Sequence, residues 1–494
     1  MRKKAYLTIL FSIISQVVTI LSGLIVPRLV LSTFGSEVNG LVSSLTQFLN
    51  YISLIEGGLG SVVLAGLYKP LAEKDTTRMN AVLNAANRFF KQITYVLLAY
   101  GVILGIAYPV VVKSSFSPWY VLSLTLILGI GLFIQYFFSI TYKLLLQADQ
   151  KMYVVQIVQT ITSLINLITS CVLIRLFPEI HIVKLGSALI FLVQPLIYSR
   201  YVKKRYIIDK KVKVASDALL QRWACFGQNF AYFIHSNTDV VVLSIFTNLK
   251  TVSVYYVYFL VVNNIKNFLL SFSNAFSPMI GKALAQKNFQ KVNEIVDAYE
   301  FVIFNISTII FGCCMYLLPS FVLIYTNGVT DANYYQPIFS MIIILAEWVY
   351  CVREPYIAVV YSAGKFKETA QSAYMEAGLN IVISVVTVIK FGLVGIAIGT
   401  CIGMTYRMVY QVLYINKNII GRSFGKFIRR ILISGGIFLG SSVIIKMFDH
   451  TGSTTILLWV KNGTICVLVY VVVTCIVNLV FDRKQTMLLL RRFK

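Results

Sequence analysis

About fourteen stretches of roughly twenty mostly apolar residues follow one another along this chain, separated by short loops, glycines and prolines. A helix of that length rises far enough, at about 1.5 Å per residue, to cross a hydrocarbon layer of about 30 Å. Inside hydrocarbon no water satisfies the backbone, so each crossing segment must bond its own amides, and only a helix does this segment by segment. The stretches lie near 5–27, 38–67, 90–112, 118–147, 153–176, 180–200, 223–246, 251–280, 298–325, 334–362, 370–390, 392–415, 429–447 and 455–480. The expected fold is therefore an all-α polytopic membrane protein with about fourteen transmembrane helices. A soluble domain on one anchor is excluded, because only 13% of the 494 residues are charged and mean hydropathy is +0.78, against about a quarter charged in soluble chains. The start, "MRKKAYLTILFSIIS", has the basic-then-apolar shape of a signal peptide. No small-residue cleavage site follows, so it reads as a retained first span.

The formal charge of +25 raises nucleic acid as a partner, and the placement of the charges argues against it. With the N-terminus inside and the spans alternating, 32 of the 44 Lys and Arg fall in inside segments, eight at outside turns or nearby span ends, and four within spans. That asymmetry is the positive-inside pattern and puts both termini in the cytoplasm. The basic loops then face anionic membrane lipids. The eight cysteines, Cys171, Cys225, Cys313, Cys314, Cys351, Cys401, Cys466 and Cys475, all sit in apolar spans. None has metal-ligand spacing, and none lies in a polar loop suited to a disulfide framework. No HExxH, P-loop, GxSxG or dinucleotide fingerprint is present, which leaves no assigned catalytic group, metal or cofactor.

The chain repeats itself. "LAEKDTTRMNAVLNA" (71–85) matches "LAQKNFQKVNEIVDA" (284–298) at an offset of 213, and "SLINLITSCVLI" (163–174) matches "GLNIVISVVTVI" (378–389) at 214, aligned on Asn166 and Asn380. An even number of spans separates the copies, so the halves run in the same membrane orientation. The expected organisation is an N-lobe at 1–200, a basic linker at 201–222, a C-lobe at 223–415, and an extra helix pair with a basic tail at 416–494. Two parallel six-helix lobes around a central cleft is a transporter arrangement. The segments "IEGGLGS" (55–61) and "FSNAFSP" (272–278) interrupt corresponding spans two and eight. Paired interruptions point either to a substrate path or to close packing through small residues.

Three stretches carry a family resemblance: "FGSEVNGLVSSLTQFLNYISLIEGGLGSVVLAGLYKPLAEKD" (34–75), "NTDVVVLSIF" (237–246) and "VREPYIAVVYSAGKFKETAQSAYMEAGLNIVISVVTVIKFGLVGIAIGT" (352–400). Over spans one to twelve the chain resembles the polysaccharide-exporter branch of the multidrug/oligosaccharidyl-lipid/polysaccharide (MOP) superfamily. Within that branch it is similar to bacterial flippases for capsule, exopolysaccharide and O-antigen repeat units. The resemblance implies export of an undecaprenyl-diphosphate-linked oligosaccharide from the inner to the outer leaflet of the bacterial plasma membrane by alternating access. It implies as partners the lipid-linked oligosaccharide, membrane lipids and a polymerase of the same export route.

Charges within spans are costly, at least about 2.5–3.5 kcal/mol each at mid-helix, and so face water or a partner. The basic set is Arg28, Lys143, Lys266, Arg353 and Arg407, and the acidic set Glu56, Asp239, Glu347, Glu354 and Glu376. Arg353 falls about 13 Å deep. Its planar fork matches phosphate, so the five bases are candidate contacts for a diphosphate, with interhelical salt bridges as the alternative. Glu347, Tyr350 and Glu354 share a helical face, and Lys266 or Arg407 are candidate partners for the acids. His235 and Asp239 stand i,i+4 on one face, a pairing suited to proton or sodium coupling or to a satisfied polar contact. Glu56, His235, Asp239, Glu347 and Glu354 are thus the coupling or charge-pairing candidates. Two rival functions remain. A cation-coupled multidrug antiporter of the same fold would favour acids over five bases. A membrane glycosyltransferase or polymerase would need catalytic groups in a large outside loop, and no such loop is expected here.

Overall fold

The computed structural model describes residues 2–56, 59–112, 115–213, 237–270, 272–448, 455–483 and 485–487, and every regular element among them is a helix. Contacts divide the chain into two compact units, Met1–Ser253 and Val254–Lys494.

The first unit begins with α1 (Arg2–Asn50), which bends at Gly35 (φ 81°, ψ 175°). That backbone conformation favours glycine, and it marks the junction between the first two expected spans. The helices α2 (Ser53–Glu56), α3 (Leu59–Glu73), α4 (Thr76–Val111) and α5 (Pro118–Ile134) follow. A π-helical turn, Gln135–Ser139, then leads into α6 (Ile140–Ala148), α7 (Met152–Leu176), α8 (Ile180–Ile190) and α9 (Val193–Arg205). The described part of the next span is α10 (Asn237–Phe246). The interior is aliphatic and aromatic: Leu41, Leu45, Leu67, Phe90, Leu145 and Val155 are fully buried in one cluster. Polar bonds pin α10 and the following helix to α1, with Ser44 Oγ 2.6 Å from Ser244 Oγ and Asn39 Nδ2 donating to Ser253 Oγ at 2.7 Å. Gly40 permits this approach, since a Cβ there would collide with the Leu249 carbonyl.

The second unit takes in most of α11 (Leu249–Leu270), then α12 (Ser273–Ala285), α13 (Phe289–Tyr325), α14 (Pro337–Val352), α15 (Glu354–Ser362), α16 (Phe366–Phe391), α17 (Leu393–Asn418), α18 (Phe424–Phe448) and α19 (Ile456–Phe481). The C-terminal pair docks on α13 around buried Cys313, Ile437, Ile445, Cys466 and Tyr470. Tyr470 stacks where Gly312 leaves no side chain. Trp459 Nε1 donates to the Leu317 carbonyl at 3.0 Å, and Asn478 Nδ2 to Asn305 Oδ1 at 2.8 Å. The seven described cysteines are unbridged.

The repeat is visible in backbone detail. Asp75 caps α4 by accepting from Arg78 N at 2.8 Å, and Asn288, 213 residues on, caps α13 by accepting from Lys291 N at 2.9 Å. The residue before each cap, Lys74 and Lys287, has positive φ (59° and 53°). Asn80 Nδ2 donates to the Ile207 carbonyl at 2.9 Å, and Asn293 Nδ2 donates to the Ile420 carbonyl at 3.3 Å, again 213 apart at both ends. Where the offset becomes 214, Gln150 (φ 55°) answers to Gly364 (φ 68°). Paired interruptions follow the same register. One helix ends at Glu56 and the next begins at Leu59, and one ends at Leu270 and the next begins at Ser273. A second pair lies in spans four and ten: the π turn ends at Ser139, and 214 residues later Arg353 separates α14 from α15.

Ten described helices are long and apolar enough to cross a membrane. The other expected spans are interrupted, richer in polar residues, or partly outside the described residues. Span two is divided among α1, α2 and α3, and span ten is divided at Arg353.

Candidate functional site

The approach of α16 to α17 builds the most charged buried site among the described residues of the second unit. Gly395, Gly399 and Gly403 recur every fourth residue and form one bare stripe on α17. A Cβ on Gly395 would lie 2.5 Å from Thr387 C, one on Gly399 2.8 Å from Ser384 N, and one on Gly403 3.0 Å from the Glu376 carbonyl. The backbones therefore touch, and polar side chains lock the seam: Asn380 Nδ2 donates to Thr400 Oγ1 at 2.9 Å and Thr387 Oγ1 to the Gly395 carbonyl at 2.9 Å. One turn beyond Gly403 the same stripe reaches Arg407, which meets Glu376 of α16.

Glu376 is fully buried and binds two arginines, Arg353 Nη1 at one carboxylate oxygen and Arg407 Nη1 at the other, each at 2.6 Å. Arg353 is 1% exposed and sits at the joint of α14 and α15. Pro355 is the second residue of α15 and has no N–H to continue the ladder. The Arg353 carbonyl accepts from Tyr356 N and Ile357 N at 3.1 and 3.3 Å and carries the chain across. The Arg353 guanidinium lies 4.3 Å from the Tyr350 ring centroid, and Lys266 Nζ lies 5.1 Å from the same ring. Lys266 in turn bonds Glu347 Oε1 at 3.1 Å. Glu354 is half-buried beside Ser273, within the fields of Arg353 and Arg407. Three bases and three acids from α11, α14, α15, α16 and α17 thus share one buried region. Arg353 Nε, Arg407 Nε and Glu347 Oε2 are buried without a hydrogen-bond partner among the described residues.

The remaining sequence candidates lie elsewhere. In the first unit Asp239 is 6% exposed on α10, close to Tyr51, whose hydroxyl bonds Thr238. Arg28 on α1 and Lys143 on α6 are half-buried. His235 and the side chain of Glu56 lie outside the described residues.

A family model described as MatE matches residues 224–386. Comparison with curated proteins finds no match. Among solved structures, the lipid II flippase MurJ in an inward closed conformation superposes with a TM-score of 0.74 at 16% identity, over 96% of this chain and 99% of that one. An inward-facing multidrug resistance MATE family transporter of the MOP superfamily gives 0.63 at 15% identity, over 80% and 93%. The eukaryotic MATE transporter AtDTX14 gives 0.57 at 12%, over 83% and 97%. The chain has the fold of the MOP-superfamily transporters. Those neighbours are transporters rather than enzymes, and the many apolar helices make this chain a multi-pass membrane protein.

Sequence reasoning did not single out a second ionic group, at the basic end of the second unit. Arg422 Nη2 bonds Glu300 Oε2 and also Asp297 Oδ1 at 2.7 Å, and Asp297 Oδ2 accepts from Lys426 at 3.3 Å. Asp482, just past α19, holds Arg430 and Arg429. A glutamate amid "AYEFVIFN" is the signal that marks this group, since a carboxylate in such a context needs a buried partner.

Proposed function

We propose that this protein is a flippase that carries an undecaprenyl-diphosphate-linked oligosaccharide repeat unit from the inner to the outer leaflet of a bacterial plasma membrane by alternating access. The observation that carries the reading is Glu376, one buried carboxylate holding two guanidiniums, each of which keeps an unused Nε donor. Arginine forks suit the oxygens of a diphosphate. A phosphate that replaces Glu376 would meet two cations already converged. A site for cationic drugs would instead need a surplus of acid, and here bases and acids are three against three. The fold match over nearly the whole chain to a protein described as a lipid II flippase supports a lipid-linked substrate.

In this reading Arg353 and Arg407 contact phosphate, Lys266 and Glu347 set the local charge, and Arg28 and Lys143 line the route. Asp239 with His235 forms the proton or sodium coupling point, and Glu56 and Glu354 are charge partners. Both termini are cytoplasmic. The product passes to a polymerase outside, and export of capsule or exopolysaccharide units follows from that step.

The test uses proteoliposomes loaded with a fluorescent undecaprenyl-diphosphate disaccharide on the inner leaflet, with outward movement read by quenching from outside. Arg353→Lys keeps the counter-charge for Glu376 but removes the bidentate fork. Transport should fall at least about tenfold while melting temperature is held, which is the loss of roughly one charge-assisted bond. Transport at the wild-type rate in a folded Arg353→Lys protein would remove Arg353 from the phosphate site. Export of a cationic dye in preference to the lipid would favour the antiporter.

A further inference from the structure

The two repeats treat one niche differently. In the second unit, Asn293 of α13 ties down the Ile420 carbonyl, and the niche beside it is closed by Glu300 and Asp297 on Arg422. In the first unit, Asn80 of α4 ties down Ile207 in the same way, and Asn84 Nδ2 donates to the Asp209 and Val212 carbonyls at 3.1 and 3.0 Å. At the offset of 213, however, Asp297 answers to Asn84 and Glu300 answers to Asn87. The first repeat thus carries neutral amides at both acidic positions, and Asp209 where the second has Arg422. What remains there is an open cavity of about 550 Å³ with Asn84 and Asn87 in its wall.

The lining of that cavity is of two kinds. Lys91, Lys203 and Lys210 supply three ammonium groups, and none of the described lining residues is Asp or Glu. Phe138, Leu192 and Leu196 also line it and are 45%, 37% and 57% exposed. On a membrane-spanning helix, exposed apolar side chains face lipid tails. Leu196 precedes Lys203 by seven residues, two turns or about 10 Å along one face. The π turn Gln135–Ser139 carries Phe137 and Phe138 into the wall, with Lys91 Nζ 4.9 Å from the Phe137 centroid. π turns of this kind are common at functional sites.

We propose that this cavity is a binding site for an anionic phospholipid, whose phosphate is held by Lys91, Lys203 and Lys210 while its acyl chains lie along Leu192, Leu196 and Phe138. A soluble anion would use the lysines but not the apolar wall, and basic pockets between transmembrane helices are suited to anionic headgroups.

The test compares thermal unfolding of the full chain in phosphatidylcholine nanodiscs with and without phosphatidylglycerol, and titrates phosphatidylglycerol binding. The wild type should be stabilised by phosphatidylglycerol. Each lysine changed to Gln at 91, 203 or 210 should weaken the titrated affinity roughly fivefold, and the triple variant should lose the stabilisation. Asn87→Glu places a carboxylate where the second repeat has Glu300. It should remove the phosphatidylglycerol response while folding normally in phosphatidylcholine. Changing exposed Lys282, Lys287 and Lys417 to Gln should leave the response intact. The proposal is overturned if the wild type shows no response, or if the cavity triple or Asn87→Glu keeps it in full. It is also overturned if the exposed-lysine control abolishes the response equally, or if millimolar inorganic phosphate reproduces it in phosphatidylcholine alone.

Discussion

Replacing Glu376 by Gln keeps the size of the side chain and removes its charge. Both arginines then lose their shared counter-ion in a place where water does not reach, Glu376 being fully buried and Arg353 1% exposed. Removing one partner of a buried ion pair costs about 3–5 kcal/mol. A second cost follows from the geometry. The two Nη1 atoms each lie 2.6 Å from an oxygen of one carboxylate, which places them within roughly 7 Å of each other. At an effective dielectric near 20, like charges at that spacing repel by about 2 kcal/mol. Some of this relaxes as the arginines move apart, so the expected loss is about 5 kcal/mol, a large share of the ordinary stability of a folded protein. The assay is heating in detergent followed by size exclusion, read as the temperature at which half the monodisperse peak is lost. Glu376→Gln should lower that temperature by at least about 5 °C. The neutral triple Arg353→Gln/Glu376→Gln/Arg407→Gln should recover more than half of the loss, because it leaves neither arginine stranded. A single variant that melts within about 1 °C of wild type would refute the counter-ion argument, and so would a triple less stable than the single.

The seam beneath that cluster gives a steric test. Gly399→Ala drives a methyl against Ser384 N and the Asn380 carbonyl and should cost about 1–3 kcal/mol, whereas Gly378→Ala, with nothing within 4 Å, should be neutral or slightly stabilising in the same melting assay. In a cysteine-free background, Lys211→Cys should be closed to an impermeant maleimide added outside whole cells and Thr330→Cys should be labelled, as the basic-residue asymmetry requires; strong labelling at 211 would invert the orientation. Asp239→Asn keeps shape and loses only charge, so gradient-driven transport should fall while substrate binding in detergent persists. Unchanged gradient-driven transport would eliminate coupling at Asp239.

What the sequence made legible follows the range over which each signal acts. Helix capping and left-handed turn residues are local, and the matched segments 71–85 and 284–298, which with 163–174 and 378–389 exposed the parallel repeat, carry them; the structure reproduces the match bond for bond in Asp75 and Asn288. Burial cost is also local to a residue. An Arg or Glu within an apolar run announces that a partner or water lies near it, which is why Lys266, Glu347, Arg353, Glu376 and Arg407 all stood out. Span boundaries blurred where the helix is irregular, since Gly35 joins two helices end to end and Arg353 divides one span.

Pairing is a different kind of information. Lys266 lies 81 residues from Glu347, and Glu376 lies 23 from Arg353 and 31 from Arg407, and nothing in periodicity says which acid meets which base. The Gly395–Gly399–Gly403 stripe did carry a hint. Small residues every four positions demand a helix at backbone contact, and once α16 is the helix that fits, Glu376 falls opposite Arg407 by the same spacing. The same logic separates the two niches of the repeat. Asn84 and Asn87 look unremarkable on α4 alone. Set against Asp297 and Glu300 at 213 residues' distance, they mark a place where the two halves of the molecule carry different charges. The shared bonds at Asn80 and Asn293 hold one local fold in both halves, while the differing charges beside them give each half its own surface for a ligand.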